Sequence, residues 1–219
     1  MTTPSSIDTA VLLSGGMESV TLLAKARAER AGSVRALTLR AGLQSEPQQL
    51  HYAKVNAFKA GVPHDVYDMR GVTDLMNTFY PLQFSTLGEW DTPCPMEESA
   101  LPLGIAGAVF YCQMAGIATL QVGITKEQVV AGKASFLDSI GEIMSLYRDG
   151  SLKVAVEAPF KDMTKADVIL YSQSIGVSHV DTWSCYYTKD AHCGECLGCQ
   201  KRKAAFDASR QSDPTTYLK

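Results

Sequence analysis

The chain has 219 residues, 46% of them hydrophobic, enough to build one domain around a sizeable core. A net charge of −3 and a pI of about 5.8 argue against a broad nucleic-acid-binding face, which needs clustered lysine and arginine. No apolar run reaches the roughly 18 residues that a membrane span requires. Residues 1–10 are polar, with neither a basic start nor an apolar stretch, so no signal peptide is expected and the cytoplasm is the default compartment.

Along the chain, short β-rich apolar runs alternate with helical patterns. Residues 10–13 read as a buried strand followed by a Gly-rich turn. Residues 19–31 read as a helix, with Val20, Leu23, Ala24 and Ala28 on one face and Gly32 as its stop. Residues 34–39 form a second strand. Pro47 opens a helix that runs to Ala60, where Gly61 ends it, and 64–69 is a third strand. Residues 99–114 read as a largely apolar, buried helix; 119–122 and 154–157 are further strands. Thr164 and Asp167 make a capping box for a helix ending near Gly176. Lys201, Arg202 and Lys203 read as a solvated helix face. This alternation predicts an α/β fold, a parallel sheet with helices on both faces, whose ligands bind beyond the carboxyl ends of the strands. Residues 1–219 read as a single domain, with 182–219 as a C-terminal appendage.

Two motifs carry chemistry. Leu13-Ser14-Gly15-Gly16-Met17-Glu18-Ser19 joins the first strand to the first helix. Two glycines let the backbone approach an anion closely, the helix start presents free N–H groups to it, and Ser14 and Ser19 add hydroxyls. An ordinary strand–helix turn is the plain alternative. There is no G-x-x-x-x-G-K-[ST], so this is not a kinase-type loop.

The second motif is Cys185-x7-Cys193-x2-Cys196-x2-Cys199. Four thiolates at this spacing suit a closed tetrahedral zinc site with no open position for a catalytic water, so a structural Zn2+ is expected. His192 in place of one sulfur, and a redox CxxC, are the alternatives. Cys94 and Cys112 are expected to be unbridged, Cys112 inside an apolar helix.

S-G-G-x-[DE]-S after the first strand resembles the pyrophosphate loop of the ATP-pyrophosphatase (PP-loop) superfamily. Together with Thr182-Trp183-Ser184-Cys185 and Cys193-Gly194-Glu195-Cys196-Leu197-Gly198-Cys199, it resembles the 7-cyano-7-deazaguanine synthase (QueC-like) family of queuosine biosynthesis. Glu157-Ala158-Pro159-Phe160 with Lys165 is similar to that family's E-x-P-L…K segment, and Gly123 closes a strand as it does there. The resemblance implies an ATP-dependent C–N ligase, with Mg2+-bound ATP as substrate. It would adenylate 7-carboxy-7-deazaguanine and pass it to ammonia, giving an amide and then the nitrile. It implies nucleotide contacts at Leu13, Ser14, Gly15, Gly16, Met17, Glu18, Ser19 and Gly123. Catalytic roles fall to Ser14, Glu18, Ser19 and Lys165, although a lysine in a first helical turn can also be merely solvated. A homodimer is implied, and no direct nucleic-acid binding.

The chain departs from that family's pattern in four places. Glu18 replaces an aspartate, which moves the carboxylate out by about one methylene, and shifts of about 1 Å can cost roughly 100-fold in rate. Ala41-Gly42-Leu43 stands where the family has Tyr-Gly-Gln. Cys94-Pro95-Met96-Glu97-Glu98-Ser99 replaces an arginine-bearing segment. Val129-Val130-Ala131-Gly132 falls where an aspartate is usual. These departures keep other readings open. The enzyme stops at the amide, or it uses another amine, a protein N-terminus included. Glu97 or Glu98 then binds a cationic amine or the N–H edge of the ring, or both are solvated loop residues. A non-catalytic nucleotide-binding partner subunit and a tRNA-modifying thiolase are competing classes. The acidic balance and the closed cysteine spacing argue against the thiolase.

Overall fold

The computed structural model describes residues 7–71, 96–128, 135–145, 153–187 and 190–219. Five strands, β1 (Thr9–Leu12), β2 (Val34–Arg40), β3 (His64–Asp68), β4 (Thr119–Gln121) and β5 (Ala155–Glu157), form one sheet in the order β3-β2-β1-β4-β5. Every pairing is parallel, with Thr9 opposite both Val34 and Thr119. The described helices are α1 (Met17–Glu29), α2 (Glu46–Ala60), α3 (Met96–Ala115), α4 (Ser135–Ser145), α5 (Lys165–Ser174) and α6 (Leu197–Ser209). The α/β expectation holds, and its element boundaries shift by a few residues.

Side chains alternate across the sheet, so neighbouring strand residues enter opposite cores. Ala10 and Leu37 face a core built with Ile105, Ala108, Val109 and Cys112 of α3. Val11 and Ala36 face the other, with Leu22, Leu23 and Ala26 of α1, Ala53 and Ala57 of α2, and Val168 of α5. Each fully buried leucine stabilises the fold by about 1.5–3 kcal/mol. A third cluster of Met17, Ile169, Ala205 and Phe206 seats α6 on α1 and α5.

Local signals placed several helix ends correctly. Pro47 lies in the first turn of α2, and Gly61 ends it at φ 63°. The Thr164 hydroxyl and the Asp167 carboxylate close the capping box of α5 in both directions.

Three expectations need correction. In α1, Ala28 is exposed, and Leu22 and Ala26 are buried instead, because α2, α5 and α6 cover the helix from several sides. The third helix is not buried throughout, since Phe110 and Met114 lie on its open face. The Lys201–Lys203 run is not a solvated face. Arg202 is almost completely buried, and its guanidinium meets the Asp213 carboxylate, the Thr182 hydroxyl and the His179 carbonyl. Cys112 is buried as expected, and burial pushes its thiol up to about 12. Among the described residues no helix is long and apolar enough to cross a membrane.

β1 sits at the point where the chain order reverses. β2 follows on one side of it and β4 on the other, with the β1 and β2 crossovers on one face and α3 on the opposite face. In an open parallel sheet the crevice at this switch, beyond the carboxyl ends of the strands, is where ligands bind. The turn after β1 and Gly123 after β4 both border it.

Candidate functional site

Leu13 ends the β1 line. Its N–H donates to the Leu37 carbonyl and its carbonyl accepts from the Thr38 hydroxyl, so its backbone polar groups are spent inside the fold. The chain then bends at Gly15, whose φ of 76° suits only glycine. A Cβ there would lie 2.7 Å from the Gln49 carbonyl oxygen and 3.0 Å from the Ala53 nitrogen, so the bend is pressed against the backbone of α2.

Two serines shape the loop from within. The Ser14 N–H donates to the Ser19 Oγ (3.2 Å), the Ser19 hydroxyl donates to the Gly16 carbonyl (3.0 Å), and the Gly16 N–H donates to the Ser14 Oγ (3.3 Å). The two hydroxyl oxygens are 3.2 Å apart. Gly16 is the N-cap of α1 and no side chain caps the helix. The Met17 and Ser19 amides therefore lack both an intrahelical acceptor and a side-chain cap, and the Glu18 amide meets its own carboxylate, at the positive end of a helix dipole. An anion is the natural partner for such a helix start.

Glu18, in that first turn, forms an ion pair with Lys165 of α5, and both side chains are largely shielded from solvent. Burial alone would raise the Glu18 carboxyl. The Lys165 ammonium outweighs it through charge and hydrogen bonding, so the net shift is downward. The Lys165 N–H donates to a Glu127 carboxylate oxygen at 2.9 Å, which puts an acid at the start of α5. Lys165 is thus not the merely solvated residue that its position allowed.

Gly123 backs the helix start. A Cβ on it would lie 3.1 Å from the Glu18 carbonyl carbon and the Ser19 nitrogen. The structure therefore gathers Ser14, Gly15, Gly16, Met17, Glu18, Ser19, Gly123 and Lys165 at one sheet edge. Glu157, in contrast, turns to Arg30, at 3.1 Å, and Gln121, at 2.8 Å, and so ties strands together.

One residue, Glu127, and one contact, that of Trp183 with the bend, escaped the sequence reading. Glu127 lies in the loop after Gly123, just before the stretch 129–132 in which no acid was found. The backbone N–H of Trp183 donates to the Gly15 carbonyl at 2.9 Å, joining the C-terminal segment to the bend. Residues 94, 95 and 129–132 lie outside the described residues. Of Met96, Glu97, Glu98 and Ser99 only the helical backbone is described.

The cysteines converge as their spacing required. The Cys185, Cys193, Cys196 and Cys199 sulfurs lie within 4.8 Å of one another, all buried, and can hold a metal ion. Cys193–Cys199 and Cys185–Cys196 sulfurs are 3.9 Å apart, far beyond the roughly 2.05 Å of a disulfide. Backbone N–H groups of Cys193, Glu195 and Cys196 point at these sulfurs at 3.3–3.5 Å, which favours thiolates. His192 takes no part in the cluster. Its Nε2 accepts the Ser184 N–H at 3.0 Å, and its ring packs on Trp183.

The family model described as "Queuosine biosynthesis protein QueC" matches residues 100–210. A 7-cyano-7-deazaguanine synthase of Rhizobium meliloti is 30% identical over 222 residues, covering 95% of this chain and 91% of that protein. The synthase of Porphyromonas gingivalis is 28% identical over 223 residues, covering 96% and 97%. Among solved structures, the U34-tRNA thiolase NcsA from Methanococcus maripaludis, with its 4Fe-4S cluster, is similar in fold. Its TM-score is 0.52 at 17% identity, and the match covers 93% of this chain and 64% of the thiolase. With the bend, the cysteine cluster and these near-full-length matches in agreement, the chain belongs to the QueC family of queuosine biosynthesis proteins.

Proposed function

We propose that the chain is an ATP-dependent C–N ligase that converts 7-carboxy-7-deazaguanine to 7-cyano-7-deazaguanine. The observation that carries this reading is the uncapped start of α1 behind the Gly15 bend, with the Glu18–Lys165 pair beside it. A carboxylate is a poor electrophile. Its oxygen attacks the α-phosphorus of ATP, the bond to the β-phosphate bridging oxygen breaks, and pyrophosphate leaves. Ammonia then attacks the acyl carbon, sheds a proton and expels AMP, giving the amide. A second ATP activates the amide oxygen, and loss of AMP and a proton leaves the nitrile.

The chain's own groups fit the first step. The Met17, Glu18 and Ser19 amides receive the departing pyrophosphate, and Ser14 and Ser19 hold the bend in shape. Lys165 exchanges Glu18 for a phosphate oxygen, so the pair that neutralises itself in the free protein separates onto the incoming ligand. Glu18 would then hold the Mg2+ that accompanies ATP and offsets the phosphate charge.

The cysteine cluster fits zinc. Four sulfurs at about 2.3 Å from a tetrahedral ion stand about 3.8 Å apart, close to the two 3.9 Å separations here. Zinc so held supplies closure of the 182–219 segment and no chemistry at the crevice. The whole of 1–219 then works as one domain carrying that segment.

A second reading rests on the sequence departures at 41–43 and 94–99. The same activated acid is halted at the amide, or is joined to an amine other than ammonia. Incubating the protein with the deazaguanine acid, ATP and ammonium, followed by mass spectrometry, separates the readings. AMP, pyrophosphate and a nitrile are the expected products. An amide end-product would support the second reading, and an untouched acid with no AMP would overturn both.

A further inference from the structure

We propose that Trp183 is a positioning residue that couples the four-cysteine cluster to the bend receiving pyrophosphate. The inference rests on the proposed role of that bend and adds to it the device that keeps it in shape.

Gly15 and Gly16 are the least constrained residues a loop can have, and ordering one backbone residue on binding weakens affinity by about tenfold. A ready-made bend therefore needs an external clamp. The structure shows a closed triangle around it. The Trp183 backbone N–H donates to the Gly15 carbonyl at 2.9 Å, and the Trp183 carbonyl lies 3.7 Å from where a Cβ on Gly16 would be. The Trp183 ring stacks on Tyr52 of α2, at 5.8 Å between centroids and 12° between planes. Tyr52 itself closes the third side, since its Cβ stands 3.1 Å from where a Cβ on Gly15 would sit.

The far side of Trp183 is held by the cysteine segment. Its ring lies 4.2 Å from that of His192, whose Nε2 accepts the Ser184 N–H. His192 immediately precedes Cys193, and Ser184 immediately precedes Cys185. Trp183 is only 3% exposed and shares one buried cluster with all four cysteines. The metal-binding residues thus fix the indole, the indole fixes its own backbone, and that backbone fixes Gly15. A cluster with no place in the chemistry thereby governs the site where the chemistry occurs.

The test uses the zinc-loaded full chain with Trp90→Phe, which leaves Trp183 as the sole indole. Trp183→Phe, Trp183→Leu and Tyr52→Leu are compared with it for zinc content, for amide exchange at residues 14–17 without ligand, and for affinity toward magnesium pyrophosphate. Coupling predicts faster exchange at 14–17 and about tenfold weaker pyrophosphate binding in Trp183→Leu and Tyr52→Leu, with zinc content unchanged and Trp183→Phe near the parent. Removing zinc from the parent should shift Trp183 emission and speed exchange at 14–17 alike. Should Trp183→Leu fail to fold, Tyr52→Leu decides, because it leaves the cysteine segment whole. Unchanged exchange and affinity in Tyr52→Leu would overturn the coupling. A parent that ignores pyrophosphate and ATP would sink the proposed function, while the ligand-free exchange would still decide the coupling.

Discussion

Lys165 and Glu18, 147 residues apart in sequence, meet as a shielded ion pair across the mouth of the crevice, each in the first turn of its own helix. Neither helix start alone would explain the pair. The parallel sheet brings the turn after β1 and the segment after β5 to the same edge, and opposite charges then hold them together. In Lys165→Met the burial of Glu18 acts without a counter-charge, so its carboxyl should rise above its ordinary value of 4.5, whereas the parent's lies below it. In the parent the Glu18 contribution to stability is therefore fully present above pH 4.5 and is lost as pH falls through the lower, folded value. In the variant the sign reverses: ionised Glu18 destabilises the fold at neutral pH, and that cost is relieved as pH falls through the raised value. Unfolding midpoints measured from pH 3 to 7 would check this, and pyrophosphate affinity at pH 7 should drop by about 10–100-fold.

Gly15→Ala should damage the site twice, through a positive φ that L-residues resist and through a methyl driven into α2. Gly123→Val should press on the Glu18–Ser19 backbone from the opposite side. Each should cost about 1–3 kcal/mol of stability and abolish measurable pyrophosphate release. Gly116→Ala is the control, since its Cβ meets nothing within 4 Å while its φ of 71° carries the same backbone strain.

Zinc analysis should find one ion per chain, and Cys199→Ser should remove it. A structural zinc contributes an apparent ~10–16 kcal/mol to folding its segment at neutral pH. Strong chelators should therefore lower the melting temperature sharply and expose Trp183 to solvent. A full complement of zinc in Cys199→Ser would contradict the four-sulfur assignment.

Arg202→Met should destabilise the chain by about 3–5 kcal/mol, because it leaves the Asp213 carboxylate shielded and without its counter-charge. Arg202→Lys should rescue only part of that, since one ammonium cannot span the carboxylate, the Thr182 hydroxyl and the His179 carbonyl that the guanidinium fork reaches together. Burial pushes the Asp213 carboxyl up, but the Tyr217 hydroxyl and the Arg202 charge outweigh it, so the net shift is below 3.8. Its stabilising effect is present above that value and lost as pH falls through the folded one. Denaturant midpoints at pH 7 and pH 4 should show the gap between Arg202→Met and the parent narrowing on acidification, as the unpaired Asp213 carboxylate takes up a proton that the parent's does not.

What the amino-acid order determined alone were features set by near neighbours. Strand–helix alternation yields the parallel sheet, Gly61 and Thr164 mark helix ends, and the cysteine spacing brings four sulfurs together because turns between close ligands have few geometries. The Gly15 bend was equally legible, since its glycines and the helix after it are contiguous. Only the tertiary structure decided which distant groups complete the site. Periodicity could not show that α1 is covered from several sides, burying Leu22 and Ala26 and leaving Ala28 in solvent. Three cations in a row look solvated until the chain's end returns Asp213 to Arg202. Lys165 acquires a partner, and Trp183 acquires Gly15, through crossovers of a parallel sheet. Such contacts depend on where whole elements pack, which no local pattern of residues encodes.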